Sequence, residues 1–198
     1  FVLHGVPRLL APPLQGVKDL NALKSPDPHV SPRMLDRVRG VRTLASRLGR
    51  QYSVLGWVEG PAAEAADLRG VTEFLIDLID DPEFCDQLMT RCVEVAADFA
   101  LAQLEAGADT IGIGDAIVSQ VSPDIYSSQI FPHEKRLIDK IHAAGGLVRL
   151  HICGDITHLL PMIKELGVDI LDLDWPVDLV YARKVVGPNQ VIVANLNP

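Results

Sequence analysis

Residues 145–174 read GGLVRLHICGDITHLLPMIKELGVDILDLD, and the rest of the chain follows the same pattern. A glycine pair ends what precedes it, and a β-branched and aliphatic run follows over residues 147–153. Apolar residues then recur at helical spacing over residues 156–166, Gly167 stops them, and residues 169–173 are extended again. Strand, helix, glycine stop and strand is the signature of a parallel sheet with helical crossovers. Downstream the pattern predicts a helix over residues 177–186, a stop at Gly187 and a strand over residues 190–196. Upstream it predicts a strand over residues 109–114 and a helix over residues 123–144, interrupted at Pro132.

Further back, Asp81-Pro82 opens a long amphipathic helix that Gly107 closes, preceded by a helix over residues 71–80 and an alanine-rich stretch after Gly60-Pro61. Residues 52–60, YSVLGWVEG, read as a strand, and Ser31-Pro32 caps a helix that runs to Gly49. The first thirty-two residues are rich in proline and glycine, which predicts irregular structure with one short helix. The expectation is a single α/β domain, an incomplete (β/α)8 TIM barrel over residues 1–198. In it residues 1–50 cover one end, residues 51–198 supply barrel units, and the remaining strands are missing. Five strand candidates fall short of eight, and a chain running from Phe1 to a strand-like end at Pro198 reads as part of a longer polypeptide. An open doubly wound sheet is the competitor, but Gly112-x-Gly114 lacks the third glycine of a dinucleotide fingerprint.

Hydrophobic content of 48% against 22% charged residues predicts a packed domain rather than a disordered one. With a net charge of -8 and no basic cluster interleaved with aromatics, neither a nucleic acid nor an anionic membrane is expected as partner. No apolar run approaches a membrane span of ~18 residues. The three cysteines are too scattered for a disulfide framework, so a reducing, cytoplasmic setting is expected.

In barrels of this kind chemistry sits where strands end. The strand ends here carry Glu59, Asp115, His151 with Cys153, Asp172 with Asp174, and Asn195. His151 and Cys153 are two apart on a strand, so they share a face, and imidazole with thiolate is a donor set zinc prefers. A buried histidine beside a core cysteine gives the same pattern. Parity also pairs Arg149 with Asp172, because an unpaired inward charge is costly. Asp174, one step nearer the strand end, is the better functional carboxylate, as a further metal ligand or an acceptor for His151. Glu59 also reads as a turn residue, and Asp115 as a cap for the loop after it. His133, His142 and His158 read as solvated or helix-end residues, and Cys85 and Cys92 as core.

Several motifs occur in a telling order. They are Gly60-Pro61, Leu68-Arg69-Gly70, Asp81-Pro82-Glu83, GIGDA at 112–116, SPDIY at 122–126, FPHEKRLI at 131–138, HICGD at 151–155, LDLDWPVDL at 171–179, ARKVVG at 182–187 and ANLNP at 194–198. This succession resembles the uroporphyrinogen decarboxylase superfamily from about Tyr52 to Pro198. The resemblance implies a (β/α)8 barrel and one of two chemistries. One is cofactor-independent decarboxylation of uroporphyrinogen. The other is zinc-dependent methyl transfer between a corrinoid carried by a partner protein and a thiol or other small-molecule donor or acceptor.

His-x-Cys belongs to the methyltransferase branch, which implies His151 and Cys153 as zinc ligands and a third, a cysteine, outside this chain. The strand-end positions themselves give the expectation that Asp115 and Asp174 are catalytic and that Asn195 binds substrate. Asp155 stands where the family often has asparagine, and Asn197 where it often has aspartate. The decarboxylase's arginine-rich N-terminal motif is absent.

Overall fold

The computed structural model of the chain describes residues 11–48, 51–194 and 196. Five parallel strands form one sheet in sequence order: β1 (Leu55–Glu59), β2 (Thr110–Gly114), β3 (Leu147–Ile152), β4 (Ile170–Leu173) and β5 (Val191–Val193). Parallel crossovers are right-handed almost without exception, so strands that never reverse their order place every crossover on the same face of the sheet. A doubly wound sheet needs a reversal. This order is instead the arc of a (β/α) barrel.

Before the sheet lie α1 (Val17–Ala22) and α2 (Pro32–Leu48). Three helices, α3 (Pro61–Arg69), α4 (Val71–Asp80) and α5 (Pro82–Glu105), link β1 to β2. The expected alanine-rich connector is thus a helix in its own right. After β2 come a 3-10 turn (Ala116–Gln120), the three-residue α6 (Pro123–Ile125), a π-helical turn (Tyr126–Ile130) and α7 (Phe131–Ala143). The single interrupted helix expected there is broken earlier than Pro132. Pro132 has no N–H to donate and its ring crowds the carbonyl four residues back, so the widening falls in the preceding turn. Between β3 and β4 the helical part is shorter than expected, α8 (Leu160–Ile163) followed by a 3-10 turn (Lys164–Leu166). Finally α9 (Leu179–Val186) leads to β5.

The two sheet faces differ sharply. Ile111, Ile113, Val148, Leu150, Ile152, Leu171 and Leu173 are almost fully buried against the helices, and each fully buried aliphatic side chain contributes about 1.5–3 kcal/mol. The opposite face carries Trp57, Glu59, Gly112, Gly114, Arg149, His151 and Asp172, in register from strand to strand. It is the face that a barrel turns inward. The free side of β1 is sealed at one point, where the buried Gln103 accepts from the Trp57 N–H (3.0 Å) and donates to its carbonyl (3.1 Å).

Candidate functional site

His151 stands near the end of β3 and Cys153 just beyond it, and the period-two alternation brings them together: His151 Nε2 lies 3.2 Å from Cys153 Sγ. The imidazole is half-buried and the cysteine exposed. On the other side of the ring, Nδ1 is buried without a hydrogen bond and faces Asp172 Oδ2 at 3.4 Å. The expected Arg149 to Asp172 pair is present, with Arg149 Nε and Nη2 donating to the same Asp172 oxygen at 3.0 and 2.6 Å. Burial, and then the negative field of Asp174, Asp172 and Glu59, holds the Cys153 thiol above its ordinary pKa. Stabilising its thiolate calls for a cation.

The acceptor that faces His151 is therefore Asp172. Asp174 instead accepts from the Gly154 N–H (2.7 Å) and the Trp175 N–H (2.8 Å). Those two bonds hold its carboxyl below the usual carboxylate range, so it stays ionised and braces the loop that carries Cys153. Gly154 sits at φ +92°, a conformation that costs other residues, and so turns the chain directly after the cysteine.

Asp115 is fully buried and does not open onto the exposed face. Its carboxylate accepts from the Ala63 and Ala62 N–H groups at 2.6 and 3.3 Å, capping the start of α3, while its own N–H donates to the His151 carbonyl at 3.0 Å. It caps the helix after β1 rather than the loop after β2. A Cβ at Gly60 would collide with this carboxylate, which is why glycine precedes Pro61. Beside it lies Glu134, also fully buried, which accepts from Tyr126 Oη at 2.6 Å and hydrogen-bonds Asp115. Burial raises both carboxyls, Asp115 to about 7 and Glu134 well above its usual range. Glu134 holds the proton, because Asp115 already has two N–H donors and Glu134 Oε1 has no other partner. Sequence reasoning missed Glu134, whose helical position carries no signal of a carboxyl partner nineteen residues away.

Asn195 lies outside the described residues. His133 is not solvated but buried, with Asp86 3.1 Å from its Nε2; burial lowers its pKa and Asp86 opposes that. His142 pairs with Asp169, and His158 Nε2 meets the Val121 carbonyl. Cys85 and Cys92 are core, as expected. Among the described residues no group of three His, Cys, Asp or Glu side chains is arranged to hold a metal ion.

His151 and Cys153 nonetheless fit two positions of a zinc site. Tetrahedral zinc at the usual bond lengths sets its nitrogen and sulfur donors about 3.6 Å apart, close to the distance found. The orphaned Nδ1 facing Asp172 matches the carboxylate that commonly orients a zinc-bound histidine.

Comparison with known proteins matches residues 1–198 to the model of uroporphyrinogen decarboxylase (URO-D). The chain belongs to the URO-D family. Within it the relatives diverge. A uroporphyrinogen decarboxylase of Gloeobacter violaceus is 26% identical over 201 residues, covering 96% of this chain and 56% of the relative. The methylcobamide:CoM methyltransferase MtbA of Methanosarcina mazei is 27% identical over 194 residues, covering 97% and 56%. Among solved structures, a methyltransferase from Methanosarcina mazei superposes with a TM-score of 0.77 at 24% identity, over 83% of this chain and 49% of that one. The chain thus spans about half the length of the relatives it matches, and its fold is part of the URO-D family barrel. No helix among the described residues is long and apolar enough to cross a membrane.

Proposed function

We propose that this URO-D family member is the barrel of a zinc-dependent methyltransferase that moves a methyl group between a corrinoid on a partner protein and a thiol or other small molecule. The observation that carries the reading is the His151 Nε2 to Cys153 Sγ approach at a strand end, with Asp172 behind the ring. Both side chains are zinc donors, and a third would come from outside the described residues. Zinc held there binds a thiol as its thiolate near neutral pH, which makes a nucleophile of it.

The chain's own residues do the rest. Asp172 orients the imidazole and Asp174 fixes the loop of Cys153. Asp115 is a positioning residue: it ties the His151 backbone to the start of α3 and does not touch substrate. Asn195 is assigned to substrate binding. His151 and Cys153 would hold the zinc, and a methylated corrinoid, when docked, would supply the methyl group to the thiol and keep the bonding pair as leaving group.

Decarboxylation of uroporphyrinogen is the second reading, and the decarboxylases among the relatives keep it in view. It calls for cations to hold several carboxylates. On the inner face of the described strands the cation is Arg149, which already bonds Asp172 twice.

Metal analysis of the full-length protein tests the proposal. We expect about one zinc per chain, lost in Cys153→Ala, and thiol-dependent loss of the methyl–corrinoid absorbance that disappears with it. A metal-free protein that converts uroporphyrinogen would overturn it.

A further inference from the structure

Glu59 ends β1 on the same face as His151, and the register runs Glu59, Gly114, His151 across three neighbouring strands. The residue between them has no side chain. A Cβ at Gly114 would lie 2.8 Å from the Trp57 indole and 3.5 Å from Glu59 Oε2, so the carboxylate and the ring reach over that glycine. Gly112 leaves room for the same ring, since a Cβ there would collide with it. The two glycines form a floor on which the indole lies, and Trp57 remains 38% exposed above it. The Trp57 ring and the Glu59 carboxylate therefore lie side by side over Gly114. The negative field of Glu59 is felt at Cys153.

Among the described residues the inner face of the strands carries the cation Arg149, while Arg37 and Arg39 of α2 line the groove beside Glu59. Glu59 is held above its ordinary pKa by burial and by Asp67, and Glu64 by burial and by Asp67 and Glu59. On the far side of His151 stand Asp172 and Asp174, and Arg149 is bonded to Asp172. A groove of about 880 Å³ runs along β1, lined by Trp57, Glu59, Glu64 and Phe99 and by Arg37 and Arg39 of α2; His151 and Cys153 are not part of its lining. An aromatic face beside a fixed carboxylate is how proteins hold ammonium groups, through cation–π attraction and charge pairing.

We propose that Glu59 and Trp57 are substrate-binding residues that select a cationic head group, an alkylammonium, on the small molecule meeting His151 and Cys153. The pairing with methyl transfer rests on the function proposed above; the ammonium subsite itself does not. An anionic head group placed on the Trp57 ring would meet Glu59 instead of a counter-charge. The site therefore discriminates by charge, favouring a thiol or amine that carries a positive group over an isosteric sulfonate.

The test uses full-length protein and calorimetric titration. Choline, which has no thiol, is titrated into metal-free protein and reads the subsite alone. Zinc-loaded protein is then titrated with three thiols of similar size: cationic thiocholine, neutral 2-mercaptoethanol and anionic 2-mercaptoethanesulfonate. We expect choline to bind, and the thiols to rank cationic, neutral, anionic. Glu59→Gln, which keeps an acceptor but removes the charge, should weaken choline and thiocholine roughly tenfold and change 2-mercaptoethanol less than about twofold. Glu59→Asp, which keeps the charge, should restore part of the loss. Trp57→Leu should weaken the cations without inverting the order.

Absence of choline binding, tightest binding of the sulfonate, or equal choline affinity in wild type and Glu59→Gln would each overturn the proposal. Failure to bind zinc while choline still binds through Glu59 sinks the methyl-transfer reading and leaves the cation subsite standing.

Discussion

Asp172 serves two neighbours with one oxygen. Arg149 donates to Oδ2 twice, at 3.0 and 2.6 Å, and His151 Nδ1 waits 3.4 Å from the same atom. The arginine holds that carboxylate in place; the carboxylate in turn can fix the tautomer that presents Nε2 to Cys153. Asp172→Asn keeps the volume but removes the charge. In the full-length protein we expect zinc affinity, measured by competition with a chelator, to fall about 10- to 100-fold. Stability should fall by about 1–2 kcal/mol, discounted from a fully buried pair because Arg149 is partly solvated. Unchanged zinc affinity would mean that the approach of Asp172 to the ring is incidental.

At the scale of elements, the buried pair of Asp115 and Glu134 makes the contacts around α3 and α7 depend on pH. Both carboxyls have folded-state values raised by burial, so the native state holds a proton that the unfolded chain releases near pH 4. For a raised acid, the contribution to stability is complete below the unfolded value and is lost as pH rises through the folded one. Stability from this pair should therefore decline from about pH 4 toward pH 7 and somewhat beyond, the folded value of Asp115 being about 7. Glu134→Gln keeps a donor for Asp115 without a titrating proton. Chemical denaturation across that range should show a smaller decline with pH in the variant, and an identical slope would exclude the pair as its source.

These elements also show what the sequence discloses. Glycine stops and apolar periodicity mark the parallel strands and most helices, because those signals are local. The helical nature of the stretch after Gly60-Pro61 is hidden, since its cap comes from Asp115, more than fifty residues on. His151 and Cys153 are legible because strand parity alone puts them together. Glu59 is legible as a strand-end carboxylate, but its approach to them is not, because it depends on two side-chain-free glycines in the strand between.

At the scale of the whole molecule, the proposed methyl-transfer reading makes a prediction about charge on the inner face. The chain carries a net charge of -8, and its inner face sets Glu59, Asp172 and Asp174 around the His–Cys pair, with Arg149 one register position below. A porphyrinogen with many carboxylates would meet like charges on this face. A concave site wall focuses that repulsion rather than diluting it. Added salt screens the approach over a Debye length of about 8 Å at 0.15 M, but not the contacts themselves. We therefore expect full-length protein to form no decarboxylated product from uroporphyrinogen at low or moderate salt. Glu59→Lys should weaken choline binding more than Glu59→Gln does, because it places a like charge in the subsite. Product formation by the wild-type protein, followed by chromatography of the oxidised porphyrins, would show that cations supplied from beyond this face outweigh the carboxylates on it, and would move the assignment to the decarboxylase branch.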